Sequence, residues 1–87
     1  MWFVYILLCQ NGSFYIGIAL DPQKRLLMHQ NGKGARYTKI YKPIAIVYTE
    51  QLPSQPEAMK RERELKTWPR KKKEQLVKSY ASGISKK

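Results

Sequence analysis

Eighty-seven residues suit one small domain with a single core, and a hydrophobic share of 43% argues against a disordered chain. No run approaches the roughly 18 apolar residues of a membrane span, so no membrane partner is expected. The net charge of +11, from 17 Lys and Arg against 6 Asp and Glu, points to a polyanionic partner or an acidic surface. The plainer reading of that charge is a basic protein kept soluble by self-repulsion.

Residues 2–9 form a continuous apolar run rich in strand formers, and read as a covered strand rather than a signal peptide. Trp2, Val4, Ile6 and Leu8 take one face, and Phe3, Tyr5, Leu7 and Cys9 the other. Asn11-Gly12 predicts a tight hairpin into a second strand over 13–19, with Tyr15, Gly17 and Ala19 on one face. The small neighbours leave space above Tyr15, although Gly17 alone could mark a bulge. Cys9, the single cysteine, cannot form an internal disulfide and reads as a small buried hydrophobe in a reducing cytoplasm. Asp21-Pro22 starts a helix that runs to about Gln30 and stops at Asn31-Gly32, with Leu20, Leu26 and Leu27 as anchors. Residues 32–39 read as a basic loop, and 44–50 as a third strand. The capping-box spacing from Ser54 to Glu57 opens a second helix to about Thr67. A third helix, beyond Pro69, spans roughly 70–80 with Leu76, Val77 and Tyr80 as its stripe. The expected organisation is one domain over 1–80 and a basic flexible tail over 81–87.

Glu62 stands out without reference to any family. It lies four residues after Ala58 and three after Met59, and three before Leu65, which places it on the stripe facing the sheet. A carboxylate there is costly unless it is ion-paired, binds a metal or is catalytic. Glu57 with Arg61, and Lys60 with Glu64, have i, i+4 spacing for surface pairs. Arg25 and His29 are another i, i+4 pair. The planar fork of Arg25 suits a phosphate, and the alternative for both residues is a solvated helix face. Tyr5 and Tyr15 would share one site across the hairpin, or serve as half-buried strand aromatics. The loop over 32–39 could wrap a phosphate with its backbone, Lys33 or Arg36, or be a plain connector. Residues 58–73 hold eight Lys or Arg. Trp68 is interleaved there with Lys66, Arg70, Lys71, Lys72 and Lys73, a pattern for phosphate contact and base stacking. The alternative is a solvated helix on which Trp68 anchors packing.

Taken together, these motifs resemble the GIY-YIG endonuclease superfamily, and within it the small standalone bacterial group. Val4-Tyr5-Ile6 resembles the first motif and Tyr15-Ile16-Gly17 the second. Arg25 resembles the arginine of the first helix, and Glu62 the metal-binding glutamate. The likeness extends to His29, to residues 32–38 with Tyr37, and to residues 66–73, reaching about Lys78. The resemblance implies an α+β (α/β) fold, with a small three-stranded, mostly antiparallel sheet flanked by about three helices. It implies a catalytic set of Tyr5, Tyr15, Arg25, His29 and Glu62, with one divalent metal, Mg²⁺ or Mn²⁺, on Glu62. Either tyrosine would help deprotonate the attacking water, and Arg25 would neutralise the phosphate. Lys33, Arg36, Tyr37, Lys66, Trp68, Arg70, Lys71, Lys72 and Lys73 would hold the nucleic acid. Val4 stands where the first motif has glycine, and Ala19 where many relatives carry a hydroxyl. The expected function is a cytoplasmic, metal-dependent endonuclease acting on DNA, or on RNA, with a partner protein supplying specificity in place of a second domain. The rival expectation is a nucleic-acid-binding module with little or no catalysis. A third, an adaptor for acidic proteins, explains the charge but not Glu62.

Overall fold

The computed structural model describes residues 1–82. Its elements are β1 (Trp2–Cys9), β2 (Phe14–Ala19), α1 (Pro22–Gln30), α2 (Arg36–Ile40), β3 (Pro43–Leu52), α3 (Gln55–Lys66) and α4 (Arg70–Ser82). The three strands make one wholly antiparallel sheet in the order β2-β1-β3. This is the expected fold class, with one helix more than expected. The tail expected over 81–87 begins inside α4, and its residues 83–87 lie outside the described residues. No helix among the described residues is long and apolar enough to cross a membrane.

β1 is central and covered on both faces, as its unbroken apolar sequence requires. On one face Val4, Ile6, Ile16 and Tyr48 pack with Ala58 and Leu65 of α3, and Leu76, Val77 and Tyr80 of α4 close that layer. On the other face Tyr5, Leu7 and Ala19 pack with Tyr15, Ile46 and Leu26 of α1. Each alternation of the strand thus feeds a different helical layer.

The hairpin uses three loop residues rather than a two-residue Asn-Gly turn. The Gly12 amide donates to the Cys9 carbonyl (2.8 Å), Cys9 donates to Ser13 (2.9 Å), and only Gly12 has a positive φ, +84°. That is a turn closed by a left-handed glycine, the next most favoured hairpin loop. β1 and β2 pair without a register break, so Gly17 marks no bulge.

α1 starts where its cap predicts: the Asp21 carboxylate accepts the Lys24 amide at 3.2 Å. Its sheet-facing stripe differs from the expected leucines. Leu26 packs inward, but Leu20 and Leu27 are 61% and 59% exposed, and His29 takes the buried position three residues after Leu26. On α3, Ala58 and Leu65 are buried with Glu62 between them, whereas Met59 is exposed. The expected surface pairs of α3 also rearrange. Arg61 reaches Glu50 of β3 (3.1 Å) and Glu64 (3.0 Å), because the half-buried Glu50 carboxylate needs a partner more than a solvated one does. Cys9 is buried as a free thiol, and burial pushes its pKa up.

Candidate active site

The site forms where β1, β2, α1 and α2 meet. Tyr5 pairs with Gly17 across the β1–β2 ladder, and Leu7 pairs with Tyr15. The two tyrosines therefore sit diagonally on one face, with ring centroids 6.5 Å apart. A Cβ on Gly17 would lie 2.6 Å from Tyr5 Oη. Glycine at this position leaves room for the Tyr5 hydroxyl, which the sequence had suggested only as space beside Tyr15.

His29 stands at the centre of this face and is 1% exposed. Its Nε2 is 3.1 Å from Tyr5 Oη, and its Nδ1 is 2.8 Å from Thr38 Oγ1. The Tyr15 ring meets its imidazole edge-on at 5.2 Å. A solvated helix face, the alternative open for His29 in the sequence, is excluded by this burial. Burial, and then the positive charge of Arg25, hold its pKa below the ordinary value, so the ring is neutral at pH 7. Burial is also the largest influence on Tyr5, raising its pKa. Arg25 opposes that rise, while Tyr15 and Glu62 add to it. Glu62 comes from α3 on the opposite layer, and its ion-pair partner is Lys66 of the same helix rather than any residue of this face.

Arg25 Nε is buried and has no hydrogen-bond partner among the described residues. An unpaired guanidinium N–H is costly, by about 1–3 kcal/mol or more for a charged group, and an anion's oxygen would satisfy it. Glu62 is 21% exposed at its side chain and pairs with Lys66 at 3.0 Å.

A cleft of about 260 Å³ opens beside Tyr15, lined by Phe14, Tyr15, Ile16, Tyr37, Lys66 and Lys73. Tyr37 stacks on Tyr15 with centroids 6.1 Å apart and touches Ser13 Oγ with its hydroxyl at 2.5 Å. Residues 36–40 are the short helix α2, not a loop, and Arg36, Tyr37 and Lys39 are on its exposed side.

Residues 1–75 match the family described as the GIY-YIG catalytic domain. The chain belongs to the GIY-YIG family. A UPF0213 protein of Staphylococcus saprophyticus is 48% identical over 75 residues, covering 86% of this chain and 92% of that protein. A UPF0213 protein of Staphylococcus aureus is 47% identical over 76 residues, covering 87% and 93%. The solution NMR structure of a UPF0213 protein from Bacillus halodurans has a TM-score of 0.56 at 47% identity, covering 90% of this chain and 84% of that one. The solution NMR structure of the protein EF2693 from E. faecalis has a TM-score of 0.59 at 40% identity, covering 91% of this chain and 84% of that one. These names carry no activity, metal or substrate.

Of the basic residues expected to hold nucleic acid, Lys33, Arg36 and Lys71 are exposed, and Lys66 and Lys73 line the cleft, with Lys66 paired to Glu62. Arg70 and Lys72 have intramolecular partners. Arg70 lies 3.9 Å over the Phe14 ring and donates to the Gly12 carbonyl (2.8 Å) and to Glu74 (2.9 Å). Trp68 packs on the core with Arg61 and Lys72 over its ring at 5.2 and 4.2 Å.

The donor chemistry of the domain fits a hard divalent ion on one carboxylate. Among the described residues no group of three or more His, Cys, Asp or Glu gathers. Mg²⁺ commonly takes one or two carboxylates and completes its shell with water and substrate phosphate oxygens. Glu62, 21% exposed at its side chain, is the carboxylate that could hold such an ion once Lys66 yields. Thr38 and Gly34 are the site residues that sequence reasoning missed as individuals. Only their place in a Gly-Lys-Gly-Ala-Arg-Tyr-Thr segment hinted at them.

Proposed function

We propose that this chain is a metal-dependent endonuclease that hydrolyses phosphodiester bonds in DNA, with RNA as the second substrate to test. The observation that carries the reading is a Tyr5 hydroxyl 3.1 Å from a neutral, buried histidine, with Tyr15 on the same face and the buried Arg25 Nε left without a partner among the described residues. Membership of the GIY-YIG family supports it.

Arg25 binds the scissile phosphate, its unpaired Nε and its fork taking up negative charge as it grows on the phosphoryl oxygens. Tyr5 gives its proton to His29 Nε2. The resulting phenolate takes a proton from water as the water oxygen attacks phosphorus, and the bond to the leaving oxygen breaks. Solvent supplies the leaving oxygen's proton and later removes the one on His29. A raised Tyr5 pKa and a lowered His29 pKa keep the proton on Tyr5 in the resting site, and the positive charge of Arg25 favours its release. Glu62 would hold a divalent ion, which when bound would supply positive charge against that developing on the phosphate. Tyr15 holds the imidazole edge and walls the cleft. Lys33, Arg36, Tyr37, Lys66 and Lys73 seat the nucleic acid. Lys71, Lys72 and Arg70 add positive field along α4, and Trp68 supports them through packing. The functional unit is residues 1–80, the setting is the cytoplasm, and a protein partner supplies substrate choice.

The test is a cleavage assay over single-stranded, duplex, flapped and branched DNA and RNA with Mg²⁺ or Mn²⁺. Wild type cuts at least one substrate and stops with EDTA, while Arg25→Ala loses cleavage and part of its affinity. Absence of metal-dependent cutting across the panel contradicts the proposal. A second reading, a binding module, draws on the Glu62–Lys66 pair, since a carboxylate kept neutralised by lysine holds no metal. That reading requires nucleic-acid affinity unchanged by metal, and no cutting.

A further inference from the structure

We propose that Thr38 and Gly34 are positioning residues that fix His29 as its Nδ1–H tautomer, leaving Nε2 as the acceptor for the Tyr5 hydroxyl. The argument starts from one hydroxyl hydrogen. The Ala35 carbonyl oxygen can only accept; the Thr38 and Lys39 amides reach it at 3.1 and 3.2 Å, and Thr38 Oγ1 more closely, at 2.8 Å, so the Thr38 hydrogen points there. What Thr38 turns to His29 is therefore a lone pair. His29 Nδ1 is 2.8 Å from that oxygen, and such a contact forms only if Nδ1 carries the hydrogen. The Ala35 amide points its hydrogen at Nδ1 and on its own would favour the other tautomer, but at 3.4 Å against 2.8 Å it is outweighed by the Thr38 contact. A neutral ring protonated on Nδ1 has its lone pair on Nε2, facing Tyr5 Oη at 3.1 Å. The order of donation runs from Tyr5 to His29 to Thr38 to the Ala35 carbonyl.

Burial makes this arrangement consequential. Thr38 is 0% exposed and is the buried residue of α2, so the five-residue helix directs its inward side chain at the histidine. Gly34 does the rest by its absence of a side chain. A Cβ there would sit 1.9 Å from His29 Nδ1 and 2.5 Å from Cε1, so the loop backbone lies directly against the ring. The segment that the sequence suggested as a phosphate wrap thus serves, at Gly34 and Thr38, as a clamp on an imidazole.

The functional consequence rests on the nuclease reading, but the tautomer does not. With Nδ1–H fixed, the O–H bond of Tyr5 can break as an N–H bond forms at Nε2, giving a phenolate and an imidazolium that keeps Thr38 as its partner. With the opposite tautomer, Nε2–H would donate to Tyr5 and no base would face the phenol.

The deciding experiment is long-range ¹H–¹⁵N NMR of the His29 ring at pH 7.5, the chain's single histidine. Wild type and Thr38→Ser show a pyrrole-like Nδ1 and a pyridine-like Nε2. Thr38→Val loses the acceptor and shifts to a mixture or to the Nε2–H form. Gly34→Ala displaces the ring signals. Where cleavage is measurable, Thr38→Val loses about 10–100-fold in rate, as for other removed histidine partners, and Thr38→Ser restores most of it. A wild-type ring protonated on Nε2, or a Thr38→Val ring indistinguishable from wild type, overturns the proposal. If the tautomer is as stated but nothing is cut, the nuclease reading fails and the clamp stands.

Discussion

At the scale of single residues, the site combines groups whose burial sets their protonation. His29 is buried neutral, with its folded pKa below the unfolded value of about 6.5. As pH falls through about 6.5 the unfolded chain takes up a proton that the folded chain refuses until its own lower pKa is reached. Stability from this group is therefore full above about pH 6.5 and lost progressively below it. Thermal melts from pH 8 to pH 5 should show this decline, and His29→Gln should flatten it. A wild-type melting temperature independent of pH over that range would contradict the burial argument. Glycine at position 17 has a similarly specific cause. Gly17→Ala places a methyl 2.6 Å from Tyr5 Oη, and should cost about 1–3 kcal/mol of stability through overpacking while disturbing the Tyr5–His29 bond. Denaturant titration measures the loss, and an unchanged midpoint would mean that Tyr5 moves freely.

At the scale of elements, α3 carries Glu62 and is fastened to β3 by Glu50. That carboxylate accepts from Tyr48 (2.7 Å) and from Arg61 (3.1 Å), and burial with the Glu50 bond pushes the Tyr48 phenol up to about 12. Glu50→Gln should weaken both contacts and cost about 1–2 kcal/mol, toward the low side of charged hydrogen bonds because both Arg61 and Glu50 are partly exposed. For a domain of this size that lowers the melting temperature by roughly 5–15 °C. Three strands and helices α1, α3 and α4 were legible because their signals are local: alternation at Tyr5 and Tyr15, caps at Asp21 and Ser54, and a break at Pro69. The helix α2 was not. It has five residues, no side-chain cap and one inward residue, so no period can register. The depth of His29 was hidden for the same reason, since its partners Thr38 and Gly34 come from that segment. Leu20 and Leu27 misled because hydrophobicity was read without the helix face.

At the scale of the whole molecule, a +11 chain should bind nucleic acid with an affinity that falls steeply as salt rises, because phosphate contacts release counterions. Lys66→Glu with Lys73→Glu, both on the cleft, should weaken binding and reduce the salt slope by about one unit per lost contact. The same reversal at Lys24 and Lys78 should change the slope less, and equal effects would mean that no particular face is used. The most direct test of the central claim pairs cleavage and affinity for Glu62→Ala. Its Lys66 partner is exposed, so the lost pair is worth only about 0.3–0.5 kcal/mol and the fold should survive. The account predicts that Glu62→Ala abolishes Mg²⁺- or Mn²⁺-dependent cleavage, binds the same oligonucleotide as tightly as wild type or more tightly, and no longer gains melting temperature from Mn²⁺. Full cleavage by Glu62→Ala, or a large fall in its metal-free melting temperature with no metal effect on wild type, would contradict it.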